Sequence, residues 1–67
     1  MIILVFESTY FLMRAQKSLM QRNIRHEVIP TPRDISSDCG MAIRVDADVK
    51  ESAIETLRKA NVKVMMK

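Results

Sequence analysis

The first six residues, Met1 to Phe6, are apolar without a break and too short for a helix, which predicts a strand buried on both faces or nearly so. Ser8 follows as a helix N-cap. From Thr9 to Arg22 the positions Leu12, Ala15 and Leu19, with Phe11 and Met20 beside them, recur at helical spacing with no Gly or Pro among them. Asn23 before Ile24 reads as a left-handed helix stop with its hydrophobic contact. A second strand is expected from Arg25 to Ile29, ended by Pro30-Thr31-Pro32, because proline cannot donate to a ladder. After a polar connection, Gly40 to Asp46 alternates. Met41, Ile43 and Val45 point one way and Ala42, Arg44 and Asp46 the other, the pattern of a strand with one wet face. Asp48 and Glu51 stand at capping-box spacing for a second helix through Ala60, with Ala53, Ile54, Leu57 and Ala60 inward. Asn61 and Val62 repeat the earlier stop, and a last strand alternates Val62, Val64 and Met66 against Lys63, Met65 and Lys67.

The two halves match in kind: apolar strand, polar cap, helix, Asn, aliphatic residue, strand. A chain that reads βαβ twice, with right-handed crossovers, folds most economically as an α+β, ferredoxin-like βαββαβ two-layer sandwich, with an antiparallel sheet and two helices on one face. In that topology the first two strands run the same way. The connection between the second and third strands therefore lies at the sheet edge where the first helix starts, near Ser8 and Thr9.

At 67 residues the chain is expected to form a single domain, residues 1–67, with a thin core. Apolar types make up 48% of it, enough for a globular core, and one Gly and two Pro argue against a low-complexity chain. One Cys and one His exclude an internal disulfide framework and a Cys/His zinc site, so no metal and no cofactor is expected. The apolar opening has no basic leader and is cut off by Glu7 too soon for a signal peptide or a membrane span, which points to a reducing cytoplasm. The formal charge is +3, and Arg14, Lys17, Arg22, Arg25 and Arg33 share a stretch in which Glu27 is the sole acid. That bias suits an anionic ligand or an acidic partner, and equally a solvated helix face.

Candidate chemistry centres on Cys39, which lies in the polar connection Arg33-Asp34-Ile35-Ser36-Ser37-Asp38-Cys39-Gly40. A free cysteine there is either tucked inward as a small hydrophobe or held out as a reactive thiol. A nearby helix start at Ser8 and Thr9, with unpaired N–H groups and partial positive charge, would lower the thiol pKa and hold an anion. Arg33, with Arg14 as a second candidate, would add to this, and Asp38 would work against it. Ser36 and Ser37 either donate to an anion or cap the local backbone, while Gly40 leaves room beside the sulfur. His26 has no partner at metal-ligand spacing, and Glu27 beside it points to the opposite strand face. No catalytic triad or paired-carboxylate constellation can be assembled, and a single Gly rules out a glycine-rich phosphate loop.

The run Ile29-Pro30-Thr31-Pro32-Arg33-Asp34-Ile35-Ser36-Ser37-Asp38-Cys39-Gly40-Met41-Ala42-Ile43-Arg44 resembles the small bacterial proteins grouped as the Putative Se/S carrier protein-like family. Members look like a short strand, a Ser-Thr pair opening a helix, a Pro-x-Pro-Arg-x-Ile-Ser-Ser-x-Cys-Gly loop and an apolar strand. Here the pair is Ser8-Thr9, and Asn23 stands where relatives lead one to expect Gly. The resemblance implies a carrier rather than a turnover enzyme. Cys39 would hold sulfur or selenium as a persulfide or selenosulfide between a donor protein and an acceptor protein. Such exchange needs an accessible thiolate and no neighbouring cysteine to resolve the adduct, and the chain has no second cysteine.

Two other functions compete. A non-catalytic binding or regulatory module would associate, as a homodimer for example, through the sheet face that the helices leave open, with Ala42, Arg44, Lys63 and Met65 on it. RNA binding ranks last, since strand three lacks stacking aromatics and strand one offers only Phe6, so no nucleic-acid partner is expected, and no membrane partner either.

Overall fold

The computed structural model describes residues 1–35 and 40–66. Strand β1 spans Ile2–Val5, helix α1 Thr9–Gln21, strand β2 Glu27–Pro30, strand β3 Met41–Val45, helix α2 Lys50–Lys59 and strand β4 Met65–Met66, with a single 3-10 turn at Ala47–Val49 before α2. The four strands form one antiparallel sheet in the order β2-β3-β1-β4. This is the ferredoxin-like arrangement that the duplicated strand-helix-strand pattern predicts.

The register explains the two sheet faces. Ile2 lies opposite Val45 and Leu4 opposite Ile43, which, with Phe6, turns Leu4, Ile43 and Val45 toward the helices. There they meet Leu12, Ala15 and Leu19 of α1 and Ala53 and Leu57 of α2, all buried. The other face holds Ile3, Val5 and Ala42, also buried, with Ile29 and Ile35 packed on them. Farther along that face Arg44 pairs with Glu27 at 2.6 Å, directly across the β2–β3 ladder.

Both helix stops take the form the sequence suggests. Asn23 has φ 56°, the Ile24 N–H donates to Leu19 O at 2.9 Å and the Asn23 N–H to Met20 O at 3.1 Å. Asn61 has φ 58°, with Val62 N–H to Leu57 O at 3.0 Å and Asn61 N–H to Arg58 O at 3.1 Å. Each is a complete Schellman motif, and Ile24 and Val62 both join the core. Asn serves where Gly is expected because its short polar side chain tolerates the left-handed region.

Some expectations are corrected. The Asp48/Glu51 capping box does not form, since α2 starts from Val49 without a side-chain cap. Asp48 instead accepts from Arg25 at 3.3 Å, a contact between distant segments that sequence spacing does not reveal. Strand β2 begins two residues later than expected and includes Pro30, which sits opposite Met41. It is an edge strand, where a residue with no N–H is tolerated. Strand β4 is two residues long, shorter than the alternation over 62–67 suggests. Thr56 joins the buried face of α2, its hydroxyl donating to Ser52 O at 2.7 Å.

Candidate functional site

Strands β1 and β2 both run antiparallel to β3, so they are parallel to each other and their C-terminal ends share one sheet edge. At that edge β1 feeds into α1 through Glu7 and Ser8, and β2 feeds into the 31–40 connection. Strand β4 enters there too, with Met65 opposite Val5. The edge therefore gathers the start of α1, the roots of the cysteine-bearing connection and the segment Asn61 to Met65.

Ser8 caps α1 from extended backbone at φ −149°, its Oγ accepting the Phe11 N–H at 3.3 Å. Thr9, the first helical residue, is exposed, and the first turn of α1 contains no acid to neutralise the helix end. Arg14 is engaged at the end of α2. Its guanidinium donates to Ala60 O, the cap carbonyl of α2, at 2.8 Å and lies 5.7 Å from the centre of the Tyr10 ring.

The connection is shut at its root. The Thr31 N–H donates to Gly40 O at 3.0 Å, which carries the β2–β3 pairing one step past Pro30 and Met41. A turn follows at once, with Ile35 N–H donating to Pro32 O at 3.0 Å. Arg33, inside this turn, is exposed and has no acidic partner among the described residues. Ile35, like Ile29, packs against the cluster of Ile3, Val5 and Ala42, so the start of the connection folds onto the sheet face opposite the helices. Gly40 is exposed with φ 72°, and a Cβ placed on it would meet nothing within 4 Å. Glycine is required there by the backbone angle and not by crowding. Ser36, Ser37, Asp38 and Cys39 lie outside the described residues.

Other groups at this edge escape a reading by linear motif. A cleft of about 330 Å³ is lined by Val5, Glu7, Lys63, Val64 and Met65. The strand-direction argument that brings Ser8 to the connection also brings Lys63 and Met65, and following it one strand further would find them. Thr31 Oγ1 is buried without a hydrogen-bond partner among the described residues, a position that proline on either side does not announce. His26 is half-buried, its Nδ1 2.9 Å from Ile24 O, and is occupied locally. Among the described residues no cluster of His, Cys, Asp and Glu is suited to a metal ion, and no helix is long and apolar enough to cross a membrane.

A ferredoxin-like sandwich with a cysteine-bearing β2–β3 connection, clasped at the edge where α1 begins, defines a small α+β protein built around one loop. The chain belongs to the family described as Putative Se/S carrier protein-like, whose model matches residues 1–65. No curated protein and no solved structure matches it.

Proposed function

We propose that the protein carries sulfur or selenium on Cys39, in the cytoplasm of a bacterium, between a donor protein and an acceptor protein. The observation that supports this most is the hydrogen bond between Thr31 and Gly40, which holds the two described ends of the connection at the same sheet edge as the N-terminus of α1, whose first turn contains no acid. In the first step the Cys39 thiolate attacks the outer sulfur of a donor persulfide, R–S–SH. A new S–S bond forms at Cys39, the donor S–S bond breaks, and the donor leaves as its thiolate, giving Cys39–S–SH. An acceptor thiolate then attacks the outer sulfur of that adduct, and Cys39 departs as thiolate. Atoms, charge and electrons balance in each step without an outside oxidant, and selenium follows the same path as Cys39–S–SeH. Ser8, Thr9, Ser36, Ser37, Arg33 and Gly40 are the groups proposed to support the anion or admit the partner.

Supplying the reduced protein with a cysteine desulfurase and cysteine tests the proposal by mass spectrometry. The expected result is a gain of one sulfur atom at Cys39, lost in Cys39→Ser, together with alkylation of the thiol at neutral pH faster than that of free cysteine. Alkylation no faster than free cysteine, with no added sulfur, overturns it. On the sheet face considered for a dimerising binding module, Ile3, Val5 and Ala42 are already covered within the chain, while Met65 is 51% exposed.

A further inference from the structure

Helix α1 buries Leu12, Ala15 and Leu19, and this leaves its outward side with an unusual composition. Tyr10, Met13 and Met20 are 63%, 61% and 61% exposed, and with Lys17 they occupy positions i, i+3, i+7 and i+10 of one stripe. Met13 and Met20, with Gln16, Lys17 and Gln21, also line a shallow groove of about 390 Å³ along the helix. Three large side chains held in water on a small domain mark an interaction surface better than they mark a solvated face. Tyr and Met are enriched in protein interfaces, and Met adapts its shape to more than one partner.

The charges indicate what covers the stripe. No acidic residue occurs between Thr9 and Gln21. Lys17, inside the stripe, and Arg14 and Arg22, on the flank toward α2, have no acidic partner among the described residues. Among the described residues, Arg25, Arg44 and Arg58 by contrast are each paired with a carboxylate. A second copy of the chain is a poor occupant, because two-fold pairing of the stripe would bring cations against cations. We propose that the outer face of α1 docks acidic protein partners whose surface sets an apolar strip beside carboxylates, with Lys17 receiving a carboxylate between the apolar contacts of Tyr10, Met13 and Met20. This rests on the carrier reading for the identity of the partners as donor and acceptor. A single adaptable face then serves both in turn.

The test uses the full chain, reduced and unloaded, with a fluorescent amphipathic helical peptide whose leucine face is flanked by glutamates, read by anisotropy. Saturable binding is expected that weakens as salt rises and drops about tenfold in Lys17→Glu, the order of effect of reversing one close charge. Met13→Ala with Met20→Ala should weaken it by a similar factor. All of these positions are exposed, so circular dichroism should match the parent. Should Lys17→Glu fail to fold, Lys17→Gln and the salt dependence of the parent carry the same information. Several results overturn the proposal: no binding, equal binding of a peptide with lysines in place of the glutamates, or Lys17 variants that bind as the parent does. Preference for phosphatidylglycerol vesicles over the peptide, or self-association abolished by the Met13/Met20 changes, overturns it as well. Sulfur loading is scored separately. Peptide binding without loading removes the carrier reading alone, and loading without peptide binding removes the docking face alone.

Discussion

Among the described residues, three hold backbone outside the ordinary range for a reason that can be tested one at a time. Asn23 and Asn61 close the two helices at φ 56° and 58°, and Gly40 closes the connection at φ 72°. Asn23→Gly should leave stability unchanged or raise it slightly, whereas Asn23→Ala should lower it by about 1 kcal/mol, read from urea denaturation midpoints. Gly40→Ala should also lose about 1 kcal/mol, although the added methyl meets nothing, because the loss comes from the dihedral angle alone. Substituting d-alanine at Gly40 by chemical synthesis should therefore restore stability. Both Asn stops were legible in the sequence from the Asn-aliphatic pairs that follow each periodic run. The role of Arg14 was not, since its acceptor is 46 residues away, on the cap of the other helix.

Helices and strands were legible wherever their period was long and their signals local. Helix α1 ends one residue short of the expected Arg22, which serves as its cap, and Ser8 starts it as read. Ser8→Ala should lower stability by about 1 kcal/mol through loss of the bond to the Phe11 N–H. The start of α2 was misread, because Asp48 finds Arg25 across space and leaves the capping box unformed. Strand β4 is shorter than expected, because residues 62–64 share the alternation of a strand while, among the described residues of that segment, only Met65 and Met66 pair with β1. On α2, the hydrogen bonds from Arg58 hold the Glu55 carboxyl below its usual range, and the Arg58 guanidinium is held above its own. A carboxyl depressed in the folded state stabilises above its unfolded pKa, and that contribution is lost as pH falls through the lower folded value. Stability of Glu55→Gln should thus fall less steeply on acidification than that of the parent, by a small margin that salt reduces, as measured by denaturation at a series of pH values.

At the scale of the whole molecule, the sheet topology was legible because a duplicated strand-helix-strand pattern leaves few alternatives, and that topology placed the connection and the start of α1 on one edge. The covering of the opposite sheet face was not legible. A strand with alternating Ala42 and Arg44 reads as half wet, yet Ile35 reaches back from a polar stretch and shelters Ala42 with Ile3 and Val5. Ile35→Ala should cost about 1–2 kcal/mol, the low end for a large-to-small change because the side chain is only half-buried. Ile35→Asp should expose the patch and raise both dye binding and self-association, followed by fluorescence and sedimentation. The hydrogen bond from the Thr31 N–H to Gly40 O ties the two described ends of the β2–β3 connection together beside the sheet. Whatever docks on the described ends of this connection must therefore come up to the rim of the sheet itself, as a vessel comes to a quay.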